Sequence, residues 1–397
     1  MGRFPSGERA PRQVLLVGSR SGALAAALRL GLGLRVLHER PLTADLARRV
    51  PLHRRVGLAS RREVLEGVRR LCAGTEIAAV VALGERAVAA AAWAREELGL
   101  AGDPPEVALR CTDKLEMKRA AAAAGLPCAP WRPVGPGSDA RALAAELGLP
   151  LVLKRARSSG GRGQVVARDV AELQRALPAR ELAEGLLRGR EVSVESLVRG
   201  GRVEFTNATE YLVPEHANVL PAALAPRERE ELFALNERVL RAMGVARGMT
   251  HVELFLTADG PLFGEIAARP PGGRIMALLE RAWGFDPWRA LLELELGAAP
   301  RFPAAPRRTA GVWILHPGEG EVAAIEGLEA ARAVPGVRRV VCRLAPGERV
   351  PPRAGRGQDV GYIQAEGPDR PAVVRALECA RAALAIRLRG GPAVGGA

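Results

Sequence analysis

Glu253 and Glu265 lie at equal distances on either side of Asp259, in a stretch whose pattern predicts a β-hairpin. Residues 249–270 (MTHVELFLTADGPLFGEIAARP) form two apolar runs joined by Asp-Gly, a common hairpin turn. Positions equidistant from a turn face each other across an antiparallel pair, with Cβ atoms about 5 Å apart. Two facing carboxylates repel unless a cation lies between them, and Mg²⁺ binds a few carboxylates together with water and phosphate oxygens. The pattern predicts a magnesium site, with two exposed glutamates bonded to arginines as the alternative.

The stretch after Glu265 places an arginine on a loop that is both stiff and open. Arg269 is followed by Pro-Pro-Gly-Gly at residues 270–273, so prolines fix the backbone and glycines leave room beside it. A guanidinium on such a loop can bind a carboxylate or a phosphate through two parallel hydrogen bonds. The loop is expected to bind an anion next to the metal, although an ordinary surface turn could have the same composition.

Two histidines are candidates for the same pocket. His251 precedes Glu253 by two residues and therefore shares its face of a strand. His216 lies in the loop PEHANVLP, residues 214–221, which has a proline at each end. Such histidines are more often structural than catalytic. The sequence contains no H-E-x-x-H, C-x-x-C or G-x-S-x-G, which argues against zinc and against a serine hydrolase.

Lysine is rare in this chain. Of 58 basic residues only three are lysines, Lys114, Lys118 and Lys154, all within a short stretch. Arginine is a planar fork, whereas lysine is a compact charge on a thin stem. A chain that uses arginine almost everywhere is expected to keep lysine where a narrow site faces a phosphate oxygen. Chance retention is the alternative for any single one of them.

Lys154 stands near the end of an apolar strand in a predicted hairpin, residues 149–168. The tip of this hairpin contains Ser158, Ser159, Gly160 and Gly161. Backbone amides of a glycine-rich tip can approach phosphate oxygens closely because no Cβ intervenes. The P-loop sequence is absent, so a glycine hairpin over phosphates is the expected form, with a merely flexible hairpin as the alternative.

The segment AEGLLRGREVSVE, residues 183–195, has carboxylates at Glu184 and Glu191 around an alternating strand. This pattern is expected of a segment whose backbone contacts the edge of a purine base and whose carboxylate accepts hydrogen bonds from the ribose hydroxyls. An exposed strand start would have it too, so the segment by itself leaves both interpretations open.

The elements that would position these residues begin with a strand–helix–strand unit at 14–40. A strand and helix follow at 78–100, and together they predict a small open α/β domain over residues 1–107. The G-x-G-x-x-G spacing is absent, which leaves NAD(P) binding by this unit as a weak alternative. Further predictions are a helix capped by Thr112 and running to 124, a hairpin at 189–210, helices at 227–243 and 275–295, strands and a final helix within 308–387, and a disordered tail from 389.

Length and composition limit the class of protein. A chain of 397 residues exceeds one compact core. The net charge of +14 raises nucleic acid as a partner, but arginines are spread evenly and aromatics are scarce, so no nucleic acid is expected. No apolar run is long enough for a membrane span and no secretion signal is present. Five scattered cysteines do not predict a disulfide or zinc framework, and a cytoplasmic protein is expected.

Taken in order, these features resemble the ATP-grasp superfamily, over about residues 14–387. The strings HVELFLTADGPLFGEIAARPPGG, VPEHANVLPA and PGEGEVAAIEGLEAARAVPGV resemble the L-amino-acid ligases, or dipeptide synthetases, within it. The resemblance implies α/β and α+β architecture: an N-terminal pre-ATP-grasp domain at 1–107, two α+β lobes clamping ATP at 108–185 and 186–300, and a small C-terminal α+β lobe with the tail at 301–397. It also implies a homodimer as one expected assembly.

The resemblance assigns roles residue by residue. Lys114 and Lys154 would contact ATP, and the loop from Ser158 to Gly163 would close over its phosphates. Glu184 and the backbone near Leu187 would receive adenine, and Glu191 the ribose. Glu253 and Glu265 would bind Mg²⁺, or Mn²⁺ in its place. Arg269 would be the catalytic residue that steadies an acyl phosphate, and it would border the amino-acid pocket with His216, His251, Gly272 and Gly273.

The reaction implied joins a small carboxylate to an amine, with ATP and an acyl-phosphate intermediate. Ala267 departs from the pattern, because many ATP-grasp enzymes have asparagine two residues after the second metal glutamate. Lys118 receives no role and is expected on the helix surface. The alternatives are a carboxylase of purine-pathway type that uses bicarbonate, and a nucleotide-binding protein without turnover. The sequence does not name the acid or the amine.

Overall fold

The structure is a computed structural model that describes residues 11–214, 216–353, 355 and 358–389. The chain divides into two compact units, residues up to 108 with 288–300, and 109–287 with the residues from 301 onward. The finer division into four domains stays a prediction, and the tail from 390 lies outside the described residues. Among the described helices none is both long and apolar enough to cross a bilayer.

The helices are numbered in chain order. They are α1 Ser21–Arg29, α2 Ala44–Arg49, α3 Arg61–Cys72, α4 Ala87–Leu98, α5 Pro105–Arg110, α6 Lys114–Ala123, α7 Ala140–Leu147, α8 Val170–Ala176, α9 Pro226–Met243, α10 Ile275–Trp283, α11 Pro287–Glu295, α12 Leu328–Ala333 and α13 Arg370–Ala383.

The strands are numbered in the same way. They are β1 Gln13–Val17, β2 Gly33–His38, β3 His53–Arg55, β4 Ile77–Ala82, β5 Trp131–Pro133, β6 Leu151–Lys154, β7 Val165–Ala167, β8 Leu182–Gly185, β9 Arg190–Arg199, β10 Arg202–Val213, β11 Ala217–Leu220, β12 Arg247–Thr257, β13 Gly260–Ala267, β14 Thr309–Leu315, β15 Gly320–Glu326, β16 Val337–Cys342, β17 Arg349–Val350, β18 Gly361–Gly367 and β19 Ala385–Leu388.

The first unit is built on a four-stranded sheet in the order β3-β2-β1-β4, with all pairs parallel. Residues 14–17 of β1 are fully buried, as expected for a central strand that has neighbours on both sides. Val14 lies opposite Leu34 of β2 and Ala79 of β4. The strand–helix–strand unit predicted for 14–40 is therefore confirmed.

The second unit contains a small antiparallel sheet in the order β5-β8-β6-β7. The pairing of β6 with β7 confirms the hairpin predicted for 149–168. Leu151 and Leu153 belong to a core with residues of α7 and α8. Because side chains alternate along a strand, Lys154 and Glu184 lie together on the opposite face of this sheet.

An eight-stranded sheet forms the larger part of the second unit, in the order β13-β12-β9-β10-β11-β14-β18-β16. The hairpins β9–β10 and β12–β13 confirm those predicted at 189–210 and 249–270. The sheet is continuous from β11 into β14, so its strands come from both sides of residue 300. A third sheet, β17-β15-β19, was not predicted from the sequence.

Two local predictions are wrong. The helix expected over 275–295 is two helices, because Gly284 adopts a left-handed conformation (φ 76°) and ends α10. The cap of α6 is Asp113 and not Thr112, since the Asp113 carboxylate accepts the backbone N–H groups of Leu115 and Glu116. The consequence is that Lys114 is the first residue of α6.

Candidate active site

All three lysines of the chain form ion pairs with two glutamates, Glu184 and Glu265. Lys154 Nζ lies 2.7 Å from Glu184 Oε1 and 2.9 Å from Glu265 Oε1. Lys114 Nζ lies 3.3 Å from Glu265 Oε2, and Lys118 Nζ lies 2.8 Å from Glu184 Oε2. We call this chain of alternating charges, Lys118–Glu184–Lys154–Glu265–Lys114, the lysine cluster.

Four elements bring the lysine cluster together. Lys114 and Lys118 are one helical turn apart on α6, so both project from the same side of the helix. Lys154 ends β6, and Glu184 lies on the neighbouring strand β8 and on the same face. Glu265 comes from β13 of the other, larger sheet. The cluster therefore depends on tertiary packing and not on any one local motif.

The prediction that Lys118 is a surface residue is wrong. Its side chain is 2% exposed, less than that of Lys154 at 13%. The ammonium lies 5.7 Å from the centroid of the Phe263 ring, in cation–π range. Lys118 is a buried member of the cluster, and the only sequence signal for it was the scarcity of lysine.

Within the cluster, the charges around Glu184, Lys154 and Glu265 offset the effect of burial on these three groups. Burial alone would raise the pKa of Glu184, but Lys118 and Lys154 lower it to about 2. Burial would also lower the pKa of Lys154, but Glu265 and Glu184 raise it well above its usual value. The pKa of Glu265 is lowered by Lys154 and Lys114 against the effect of its burial. These groups stay charged in the absence of any ligand.

The predicted pairing of the two hairpin glutamates is confirmed, with a detail that the sequence did not show. Thr257 pairs with Gly260, and a regular register from there would place Glu253 opposite Gly264. The register shifts next to Glu253, so that Glu253 pairs with Glu265. A Cβ on Gly264 would lie 3.0 Å from the Glu253 carbonyl oxygen, so glycine suits this irregularity.

A buried carboxylate that sequence reasoning missed, Glu195, lies behind this hairpin. It is fully buried on β9 and accepts hydrogen bonds from Ser193 Oγ (2.7 Å), Asn207 Nδ2 (2.9 Å) and Thr209 Oγ1 (2.7 Å). Its fourth partner is His251 Nδ1 at 3.0 Å. The alternation of REVSVES was the signal available, since it places Ser193 and Glu195 on one face.

His251 connects this buried carboxylate to the hairpin. Its Nε2 lies 3.5 Å from Glu253 Oε1 and 3.3 Å from the Tyr211 hydroxyl. Burial would lower the pKa of His251, but the hydrogen bonds to Glu195 and Glu253 raise it. The geometry is that of a side chain that orients Glu253, and a direct contact of His251 with substrate stays a prediction.

Arg269 and the glycines after it lie at the end of β13. Arg269 Nη1 donates to the Pro270 carbonyl oxygen at 3.2 Å. Gly273 has a φ of 55°, and a Cβ there would lie 2.9 Å from Asn218 Nδ2, whereas Gly272 has open space beside it. The roles of Arg269, Gly272 and Gly273 in substrate binding stay predictions.

The loop ends at a strained residue. Arg274 has a φ of 63°, and among the described residues it alone is a non-glycine with positive φ. Its guanidinium lies 3.9 Å from the centroid of the Tyr362 ring and 3.5 Å from Asp359 Oδ2. These contacts hold the loop end in place, and no local sequence pattern indicated them.

His216 lies next to an arginine from the C-terminal part of the chain. Its Nε2 accepts a hydrogen bond from Arg353 Nη1 at 3.0 Å, and its carbonyl accepts the Ile314 amide at 2.6 Å. His316 is close enough that Arg353 and His216 lower its pKa further, after the larger effect of burial. His216 thus belongs to a basic group of side chains drawn from three loops.

The remaining nucleotide candidates lie around the lysine cluster or on the neighbouring strand. The Ser158 carbonyl accepts Lys114 Nζ at 2.7 Å, and Gly160 and Gly161 make the tip with φ of 63° and 71°. The others are placed as follows: Ser159 in the same tip, Leu187 half-buried between β8 and β9, and Glu191 on β9 opposite Phe255 of β12. Their contacts with a nucleotide stay predictions.

Comparison with known proteins gives two family matches. Residues 119–272 match the ATP-grasp domain, and residues 312–389 match the L-amino acid ligase C-terminal domain 2. The first match contains most of the lysine cluster and both hairpin glutamates. The second begins within β14 and includes Arg353.

Individual proteins are similar over most of the chain. The L-arginine-specific L-amino acid ligase of Bacillus subtilis is 24% identical over 72% of this chain and 74% of its own length. The uncharacterized protein y4rH of Sinorhizobium fredii is 30% identical over 76% of this chain, and the match spans 66% of y4rH. The crystal structure of an L-amino acid ligase from Bacillus licheniformis superposes with a TM-score of 0.81 at 22% identity, covering 96% of this chain and 99% of that one.

Proposed function

We propose that this chain, which belongs to the ATP-grasp family of carboxylate–amine ligases, joins a small carboxylic acid or amino acid to an amino acid while ATP is converted to ADP and phosphate. The observation that carries the proposal is the convergence of Lys114 and Lys154 on Glu265, with Glu253 opposite. Lysines and carboxylates in this arrangement suit a triphosphate and the divalent cation that accompanies it.

The donor set fits Mg²⁺. Glu253 and Glu265 share one face of the hairpin, and each side chain is about a quarter exposed, at 27% and 26%. Mg²⁺ is commonly held by one or two carboxylates, with phosphate oxygens and water completing its shell. Bound there, the ion would supply charge neutralisation at the phosphates, and Mn²⁺ has the same oxygen preference.

The chain's own residues perform the first step by binding and orientation. Lys114 and Lys154 hold the phosphates, and the tip at 158–161 excludes water from them. The carboxylate oxygen of the acid then attacks the γ-phosphorus, and the bond to the bridging oxygen breaks with its electron pair leaving on ADP. The acyl phosphate forms because the two reactants are held in line and their charges are compensated.

The second step forms the amide. The amine nitrogen attacks the acyl carbon, and Arg269 donates to the oxyanion that appears there. The C–O bond to phosphate breaks and phosphate leaves with the electron pair. The nitrogen passes its extra proton to the departing phosphate or to water, which gives the amide. His216 and the Gly272-Gly273 turn would border the amino acid.

The proposal predicts that ADP release requires both an acid and an amine. A matrix of amino acids and small carboxylates, with phosphate release as the readout and mass spectrometry of the product, is the measurement. Turnover with bicarbonate alone would instead support a carboxylase. Binding of ATP without ADP release in every combination would contradict a ligase and support a non-catalytic nucleotide-binding protein.

Ala267 offers a test of the metal site by gain of affinity. It lies opposite His251, two residue pairs beyond Glu253 and Glu265 and therefore on the same face. An amide oxygen at this position could add a ligand to the metal. We therefore expect Ala267→Asn to raise the affinity for Mg²⁺ by about tenfold, which is ~1.4 kcal/mol. Metal titration in the presence of a non-hydrolysable ATP analogue measures it.

The matched control is Ala258→Asn, which places the same amide at the exposed tip of the same hairpin. An unchanged or weaker Mg²⁺ affinity in Ala267→Asn, with Ala258→Asn like the wild type, would show that position 267 does not face the ion.

A further inference from the structure

We propose that Lys118 is a positioning residue for nucleotide recognition, which keeps Glu184 ionised and in place when Lys154 turns to the phosphates. The proposal rests on the proposed function of the site. It concerns a residue that the family resemblance leaves without a role, and it explains why a third lysine is kept in a chain that otherwise uses arginine.

The argument begins with the position of Lys118 at one end of the lysine cluster. Lys154 is shared between Glu184 and Glu265, and Lys114 is shared between Glu265 and the Ser158 carbonyl. Lys118 pairs with Glu184, and this is the single ion pair that the described residues give it. Among the described residues, Lys118 therefore forms an ion pair with Glu184 alone and is not shared with a second carboxylate.

Burial makes this pair important. Glu184 is 4% exposed and Lys118 is 1% exposed. Removing the partner of a buried charge destabilises the folded protein much more than removing the partner of an exposed charge, because water cannot take the place of the buried partner. The Phe263 ring lies beside the ammonium of Lys118, with its centroid 5.7 Å from Nζ, and the charge is shielded from solvent.

Nucleotide binding removes one of the two partners of Glu184. If Lys154 contacts a phosphate, its ammonium moves away from Glu184 Oε1 or shares its hydrogen bonds. Glu184 then stays a carboxylate only because Lys118 remains at Oε2. Oε1 becomes available to accept a hydrogen bond from a donor on the ligand.

The freed acceptor determines which base fits. An ionised carboxylate accepts from the 6-amino group of adenine, whereas the 6-oxo group of hypoxanthine presents a second acceptor. Without Lys118, Glu184 would retain Lys154 or become protonated, and either change weakens this discrimination. Arginine would not replace Lys118 well, because its planar fork is wider than an ammonium.

The test compares binding of non-hydrolysable analogues of ATP and ITP by titration calorimetry. For Lys118→Met we expect affinity for the ATP analogue to fall by about 10- to 100-fold, as for loss of a buried charged partner. The ratio of ATP to ITP affinity should fall as well. In a Glu184→Gln background the same substitution should have little further effect, because the two residues act as a pair.

The matched control is Arg119→Met, the next residue of α6, whose side chain is 55% exposed and pairs only with Glu116 of the same helix among the described residues. It should bind both analogues like the wild type. Lys118→Gln, which keeps a polar donor but not the charge, is the second variant should the methionine fail to fold, and the same loss of base discrimination is expected of it.

Wild-type affinity and a wild-type ATP-to-ITP ratio in the folded variants would overturn the role of Lys118. A reduced affinity that is equal for both analogues and additive with Glu184→Gln would also overturn it, since that pattern indicates a purely structural residue. Failure of the wild-type protein to bind the ATP analogue would instead contradict the proposed function itself.

Discussion

Replacement of Glu265 by glutamine is expected to lower ADP release by about three orders of magnitude or more, since several kcal/mol of charge stabilisation at the phosphates would be lost. The amide keeps the size and shape of the side chain but removes the negative charge. Metal-dependent binding of the nucleotide should weaken together with turnover.

The structure gives two reasons for so large an effect. Glu265 faces Glu253 across the hairpin, so the substitution removes half of the negative charge that this pair offers to a divalent cation. Glu265 is also the common partner of Lys114 and Lys154. In Glu265→Gln these two lysines lose the charge that positions them, so phosphate binding and metal binding change in the same variant.

Asp259→Asn is the matched control for Glu265→Gln. It removes one negative charge from the same hairpin, at the exposed tip, and should leave ADP release within a few-fold of the wild type. Calorimetric titration of Mn²⁺ with the nucleotide analogue separates metal loss from unfolding. Metal binding and turnover near wild-type levels in Glu265→Gln would refute the assignment of the hairpin to the cation.

The facing glutamates could be found from the sequence because an Asp-Gly turn and the period of two of a strand are local signals. The symmetric count about Asp259 nevertheless concealed a detail. The tip is one residue shorter than the count assumed, and the irregularity at Gly264 restores the pairing. Local patterns therefore predicted that Glu253 pairs with Glu265, but they did not predict the register shift that makes this pairing possible.

Lys118 and Glu195 show what local patterns could not specify. Both are charged residues in regular elements, and such residues are usually exposed. Their burial is decided by partners distant in sequence, Glu184 for the lysine and His251 for the glutamate. Composition did give a signal for Lys118, because the scarcity of lysine marked all three positions, whereas Glu195 is one glutamate among many.

The strands and the final helix predicted within 308–387 are present, but the long-range contacts of this region could not be predicted. Arg353 reaches His216, and Asp359 and Tyr362 hold Arg274, across more than eighty residues of sequence in each case. No periodicity or spacing encodes such contacts. In the proposed function, this region, which matches the L-amino acid ligase domain, would supply part of the amino-acid pocket.

Replacement of Arg269 by alanine is expected to affect amide formation much more than ATP binding. Loss of one donor to a developing oxyanion lowers the rate by about 100- to 1000-fold, and Arg269 is the group that we assign to that oxyanion. We propose that the lysine cluster holds the nucleotide, so the affinity for ATP should change only a few-fold. Arg269→Lys should recover part of the rate, because the charge returns without the planar fork.

Two measurements separate the steps. Hydroxylamine traps the acyl phosphate as a hydroxamate, which reports the first step, and amide product reports the second. We expect Arg269→Ala to accumulate proportionally more trapped acid than amide. Arg227→Ala, an arginine on the exposed side of α9 that pairs with Glu231, is the control and should behave like the wild type.

Equal losses of hydroxamate and amide in Arg269→Ala would place the residue in the first step, as a ligand of the attacking carboxylate. Unchanged amine-dependent ADP release would remove it from both steps. The distinction is meaningful because contacts of Arg274 with Tyr362 and Asp359 hold the end of this loop. A change at position 269 should therefore report the guanidinium itself and not a displaced loop.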